Sequence, residues 1–301
     1  MSKNHSEYMK LDDIIHTFFI GFDLDNSGMI SQVKEKFYDE LFDDITSFAF
    51  GTKNVLNRIK KPQDISKINR EALRRMYNIP ELKEASQYYL ESDKVEDKYL
   101  RRGEFGELLL YHLLHEYFDA DALISKLYFK DSNGIPAHGF DAVHVDTQQK
   151  ILWLGESKLY LSATSAIDAL MKDLDEHFNT NFFDSEFLII ENRIYDSKIE
   201  LDDFMKTLLN PQTKVLNKLA NIKIALFAGF SSKSFENFDD EQDFKNKLKE
   251  EVKSLNERAK KKIEQHPWHD HLDIYLFLFP TENKNEFVKD LHLKLKGAQQ
   301  G

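Results

Sequence analysis

The chain of 301 residues contains no cysteine. That excludes disulfides, thiol nucleophiles, iron–sulfur clusters and every zinc site built on thiolate, and it suits a reducing compartment. No apolar run approaches the ~20 residues that a membrane span needs. The opening, Met1-Ser2-Lys3-Asn4-His5-Ser6-Glu7, lacks the apolar centre of a signal peptide, so a cytoplasmic protein away from membranes is expected. A positive net charge is also missing: 41 Lys and Arg against 52 Asp and Glu leave −11. Phosphate binding is mostly cation-driven, so the chain does not coat nucleic acid by bulk charge. Any such contact must come from local patches, a metal ion or a partner. Repeats and low-complexity tracts are absent too.

What is present is material for a core. Hydrophobic residues make up 41%, Phe alone numbers 24, and the 31% of charged residues clothes a soluble surface, which excludes a wholly disordered chain. The length suits one large domain or two unequal ones. The first 97 residues read as mainly helical. Ile14–Phe22 is an apolar run of strand length, and Gln32–Phe50 sets Val33, Phe37, Leu41, Ile45 and Phe48 at helical intervals. Residues 64–92 read as further helices, interrupted near Pro80. From residue 98 the pattern changes: a helix over Gly103–Phe118, strands over Leu123–Lys130, Gly139–Asp146 and Ile151–Tyr160, and a helix over Ser165–Phe178. A short strand at Phe187–Ile190 follows, then strands at Ile222–Phe230 and Leu272–Phe279 around a charged helix at Glu241–Gln265, and a closing helix after Pro280. This order predicts an α/β fold, a mixed sheet with helices on both faces.

The chemistry concentrates in Leu152-Trp153-Leu154-Gly155-Glu156-Ser157-Lys158. Alternation along a strand puts Leu152, Leu154, Glu156 and Lys158 on one face, which runs from apolar to a carboxylate and then an ammonium. A loop of two or four residues at Thr147–Lys150 makes a hairpin in which Asp146 faces Ile151 and Asp141 faces Glu156. Opposed side chains then share a face with Cβ atoms ~4.5–5.5 Å apart. Two carboxylates at that range repel unless one is protonated or a cation sits between them. Mg²⁺ suits the second solution, since it favours oxygen ligands and keeps waters for substrate phosphates. A third acid, Glu107, lies in Gly103-Glu104-Phe105-Gly106-Glu107-Leu108-Leu109. There it either complements the helix N-terminus, as Glu104 does, or joins the site.

These three stretches resemble the PD-(D/E)xK nuclease superfamily, of restriction-endonuclease-like fold. More narrowly, with His138-Gly139-Phe140-Asp141-Ala142-Val143, they are similar to the HamA family, nuclease subunits of Hachiman anti-phage systems that act with a helicase. The resemblance covers residues 103–279 in element order, and Phe140 stands where the superfamily name has proline, which supplies no ligand. It implies a Mg²⁺-dependent deoxyribonuclease (Mn²⁺ serving as well) in which Asp141 and Glu156 ligate the metal. Glu107 is implied as a further or water-mediated ligand. Lys158 would orient the attacking water or stabilise charge on the phosphorane, and the products would be a 5′-phosphate and a 3′-hydroxyl. DNA and a HamB-like helicase subunit are the implied partners. A catalytically silent subunit that keeps the fold is the rival reading; a two-carboxylate glycosidase has little use for Lys158.

Three other motifs are weighed and set aside. Asp23-Leu24-Asp25-Asn26-Ser27-Gly28-Met29-Ile30 imitates a calcium loop, but its twelfth position is Lys34, so a turn is expected. His266-Pro267-Trp268-His269-Asp270-His271 lacks the spacing of convergent metal ligands. His144 alternates away from Asp141 and reads as structural. Two segments are locally basic, Asn57–Arg75 and Lys247–Lys262. Each is a solvated face or a phosphate-tracking or partner-docking surface.

Overall fold

The computed structural model describes residues 5–77, 79, 82, 95–125, 139–196 and 201–300. Four strands open the chain: β1 (Ser6–Lys10), β2 (Ile15–Ile20), β3 (Phe22–Leu24) and β4 (Ile30–Gln32). Helices α1 (Lys34–Phe50), α2 (Thr52–Arg58), α3 (Pro62–Met76), α4 (Asp97–Leu100) and α5 (Glu104–Phe118) follow. Then come β5 (Asp121–Ser125), β6 (Ala142–Asp146) and β7 (Ile151–Tyr160). Helices α6 (Ala163–His177), α7 (Thr180–Asp196), α8 (Asp203–Leu209) and α9 (Val215–Leu219) lead to β8 (Ile222–Ser231). The chain closes with α10 (Glu241–Ile263), β9 (Asp273–Thr281) and α11 (Lys284–Gln300).

Among the described residues, one seven-stranded sheet runs in the order β1-β2-β9-β8-β7-β6-β5. β7, β8, β9 and β2 are parallel neighbours, whereas β1, β6 and β5 pair antiparallel. Parallel strands cannot be joined by a tight turn, so α6–α9 carry the chain from β7 to β8, and α10 carries it from β8 to β9. Covered on both faces, the central strands read as nearly unbroken apolar runs rather than alternating ones. Period-two alternation still divides the core. Leu152, Leu154, Ile224 and Leu226 meet α6, α7 and α10 on one face. Trp153, Phe227, Phe277 and Phe279 meet α1, α3, α5 and α11 on the other. The result is the mixed α/β sheet flanked by helices that the sequence predicts.

The first 97 residues hold helices α1–α3, as expected, but they also send β1 and β2 into the common sheet, where Ile15, His16 and Thr17 register with Leu276, Phe277 and Leu278. The expected strand at Phe187–Ile190 is instead part of α7. Four apolar residues in a row do not discriminate helix from strand, and here the wider spacing decides: Phe183, Phe187, Ile190 and Ile194 form one buried helical stripe. Of the predicted strand Leu123–Lys130, residues 123–125 lie in β5; residues 126–130, the turn at 131–134, His138, Pro80 and most of 78–94 lie outside the described residues. The calcium-loop mimic is the turn between β3 and β4, where the Asp25 carboxylate accepts from the N–H groups of Ser27 and Met29. His266 caps a local turn by accepting from the N–H of Trp268.

Candidate functional site

The β6–β7 hairpin is closed by Thr147–Lys150, with Asp146 accepting from the N–H of Gln148 at 2.9 Å and of Gln149 at 2.8 Å. Lys150 takes φ 58° to complete the turn. That geometry fixes the ladder from Asp146 opposite Ile151 to Ala142 opposite Gly155. One step further, Asp141 meets the level of Glu156. Its Oδ2 accepts from the N–H of Ser157 at 2.9 Å and from the Ser157 hydroxyl at 3.1 Å. Asp141 is 8% exposed and Glu156 is 4% exposed, both far below what carboxylates tolerate without partners. Two glycines shape the approach. Gly139 adopts φ +127°, and a Cβ there would lie 2.0 Å from Glu186 Oε1. At Gly155 a Cβ would come within 2.8 Å of Leu110 Cδ2, so its absence lets α5 close onto the hairpin.

Helix α6 supplies the partners on the other face of β7. Its start is capped by Ser162, which accepts from the N–H of Ser165, and its apolar stripe Ala166, Ile167, Leu170, Met171 and Leu174 docks on the sheet. This docking aims Asp173 and His177, one turn apart, at the two charged residues of β7. Asp173 forms an ion pair with Lys158. His177 Nδ1 stands 2.9 Å from Glu156 Oε1, and its ring meets Phe140 edge-on with centroids 5.4 Å apart. Burial alone would pull Lys158 down, but the Asp173 pair, with Glu156 and Asp141 behind it, holds its pKa above the ordinary lysine value. Burial pushes His177 below the ordinary imidazole value against the opposing charges of Asp173, Glu186 and Asp141.

The structure thus brings Asp141, Glu156 and Lys158 together. Glu107 is buried on the first turn of α5, next to Gly106, whose backbone rests against Ser157. Glu104, one turn earlier, pairs with Arg102. His144 is structural: Nδ1 lies 2.9 Å from the carbonyl oxygen of Ala120, and burial pushes its pKa down to about 4. Sequence reasoning missed Asp173, His177 and Glu186. Their signal lies only in the docking of α6 and α7 against the hairpin, which no local pattern announces.

The donor set suits a hard divalent cation in kind, because Asp141 and Glu156 are buried carboxylates at opposed positions of adjacent strands. In number it offers a pair. Among the described residues no three His, Cys, Asp or Glu side chains are grouped as a metal site. One or two carboxylates completed by water is a common complement for Mg²⁺.

Two comparisons bear on this arrangement. The sequence model of the HamA family matches residues 2–295, nearly the whole chain. No curated protein matches it.

Proposed function

The chain belongs to the HamA family, a family of anti-phage defence, and from that premise we propose that it is a metal-dependent nuclease hydrolysing DNA phosphodiester bonds beside a HamB-like helicase. One observation carries the reading: the buried pair Asp141 and Glu156 stands at the edge of the hairpin, with Lys158 two residues further on the same strand. In this reading Asp141 and Glu156 hold Mg²⁺ or Mn²⁺, and Glu107 acts through water. A bound divalent ion lowers the pKa of its water and offsets charge on the scissile phosphate. The protein's own groups set the geometry. Ser157 fixes Asp141 through two hydrogen bonds, and His177 sets its Nδ1 2.9 Å from Glu156 Oε1. Lys158, steadied by Asp173, offers a compact cation to the attacking water or to a phosphorane oxygen. Water oxygen bonds to phosphorus as the bond to the 3′ oxygen breaks, leaving a 5′-phosphate and a 3′-hydroxyl. A net charge of −11 opposes bulk binding of DNA, so delivery by the helicase is part of the proposal.

A second reading is a silent subunit of a nucleic-acid-processing complex that keeps the fold. One experiment separates the two. The purified chain, alone and with a HamB-like helicase, is incubated with plasmid and single-stranded DNA in Mg²⁺ or EDTA, as wild type, Glu156→Gln and Lys158→Ala. The nuclease reading expects Mg²⁺-dependent cleavage that falls at least ~10²-fold in either variant, the scale of losing a directly acting group. Cleavage that persists in EDTA or in both variants would falsify it, and no cleavage by wild type with its partner favours the silent subunit.

A further inference from the structure

Of the two basic segments, the later one has three of its bases paired with acids from other elements, while Lys249, Lys253 and Lys261 are exposed and enter no ion pair among the described residues. On α10, Arg258 pairs with Asp168 at 2.6 Å, Lys262 with Asp168 at 3.3 Å, and Lys260 with Asp12 at 2.5 Å. The α3 segment sets its cations along one outer face. Its inner face, Ile68, Ala72, Leu73 and Met76, is buried. Its outer face presents Lys67, Arg70 and Arg74 at intervals of three and four residues, all exposed. Among the described residues none of these three enters an ion pair, and the same holds for Lys60 and Lys61 at the head of the helix. The nearby acids are otherwise engaged: Asp64 accepts from the N–H groups of Lys60 and Lys61, and Glu71 pairs with Arg58 and Arg75. On a chain of charge −11, such uncompensated cations stand out locally, on α3 and, as Lys249, Lys253 and Lys261, on α10.

The stripe also has a direction. Tyr77 directly follows α3, and Arg102 lies 4.3 Å over its ring. Arg102 pairs with Glu104 on the first turn of α5, and Gly106 two residues on rests against Ser157, which holds Asp141. Exposed Arg101 stands beside this junction. The C-terminal end of α3 is therefore linked, through Tyr77, Arg102 and the first turn of α5, to the strand end that carries the carboxylates, from the sheet face opposite Glu156 and Lys158. Lys67 to Arg74 spans about 10 Å at 1.5 Å per residue, so three cations are spread along a length that covers several phosphates of one strand.

We propose that the outer face of α3, through Lys67, Arg70 and Arg74, binds the phosphate backbone of a nucleic-acid strand leading to the Asp141–Glu156–Lys158 site. The choice of nucleic acid over an acidic protein rests on the nuclease reading. The stripe carries no base-reading geometry, so binding is indifferent to sequence and steeply salt-dependent.

The test uses the full chain in EDTA, a fluorescent 30-nucleotide single strand and its duplex, and anisotropy titrations across a salt series. Against wild type stand Lys67→Glu/Arg70→Glu/Arg74→Glu and a control, Lys249→Glu/Lys253→Glu/Lys261→Glu on α10. Losing three phosphate contacts lowers the slope of log K against log salt by roughly 2–3. The α3 variant is expected to show that decrease with at least a tenfold loss of affinity at low salt, while the control stays within twofold and both melt with wild type. Binding of the α3 variant within twofold of wild type overturns the proposal. So does a wild type that binds no strand at low salt, even where the stripe then retains an acidic protein. Cleavage is measured in parallel with Mg²⁺. Binding through α3 without any cleavage, with the helicase partner present as well as absent, leaves the stripe standing and removes the nuclease reading; cleavage with unchanged binding by the α3 variant does the reverse.

Discussion

Two carboxylates buried side by side are an expense unless each finds compensation, because an unpaired buried charge costs several kcal/mol. Here the compensation is divided among neighbours: Ser157 donates twice to Asp141, His177 faces Glu156, and Lys158 brings a cation that Asp173 anchors. Half of this was legible in the sequence. Asp141, Glu156 and Lys158 fall together because strand alternation has period two and a four-residue loop fixes the register. Asp173 and His177 were not legible, since their role depends on where a helix docks. The Asp173 contact makes a prediction. Its charge raises the pKa of Lys158 against the lowering effect of burial, so Asp173→Asn must bring that pKa down and enlarge the neutral, nucleophilic fraction of the amine at a given pH. Labelling with an amine-reactive reagent between about pH 8 and 9, read by peptide mass spectrometry, should modify Lys158 several-fold faster in the variant, as a tenfold rise accompanies each unit of pKa. An unchanged rate, with other lysines labelled normally, would show that Asp173 does not govern the amine.

Elements set the limits on how close these groups come. The hairpin register was readable from Thr147–Lys150, and the ladder runs as expected from Asp146–Ile151 to Ala142–Gly155. The approach of α5 to that ladder was not readable, because a glycine in a strand announces a bulge, a bend or a close contact without saying which. The structure answers it: Leu110 of α5 occupies the space that a side chain at 155 would need, and Ala142 closes it from the neighbouring strand. The misreading of Phe187–Ile190 has the same origin, a local pattern decided by packing elsewhere. Gly155→Ala therefore forces a methyl group into contacts of 2.8 and 3.1 Å among fully buried side chains. Overpacking of this kind costs typically about 1–3 kcal/mol, and urea denaturation should show a lower midpoint with an unchanged slope. A variant as stable as wild type would mean that α5 shifts freely over the hairpin, and the rigidity argued for the carboxylate pair would go with it.

At the scale of the whole molecule, the sheet belongs to no single segment of the chain. A change of pattern near residue 98 divides the sequence on paper, yet β2 inserts its backbone beside β9, and β1 closes that edge. The helical part of the N-terminal region is bound in as firmly. Phe37, Leu41 and Ile45 of α1 and Ile68 of α3 share one buried cluster with Leu108 and Leu109 of α5 and with Phe277 and Phe279 of β9. Removing residues 1–97 would leave β9 as a new sheet edge and uncover one whole face of α5, whose residues from Glu104 to Leu114 are all buried. Each large apolar side chain returned to water costs ~1.5–3 kcal/mol, and a domain's net stability is only ~5–15 kcal/mol, so losing partners for a handful of them exceeds the margin. A fragment comprising residues 98–301 should therefore aggregate or remain unfolded, with no cooperative thermal transition by circular dichroism, even though it contains Glu107, Asp141, Glu156 and Lys158. Co-expression of residues 1–97 as a separate chain should restore a folded complex, since the contacts to be remade are extensive and apolar. A soluble monomeric fragment with a sharp transition would show instead that the carboxylate hairpin stands on its own core, and that the N-terminal strands are an addition to the sheet rather than part of what holds it.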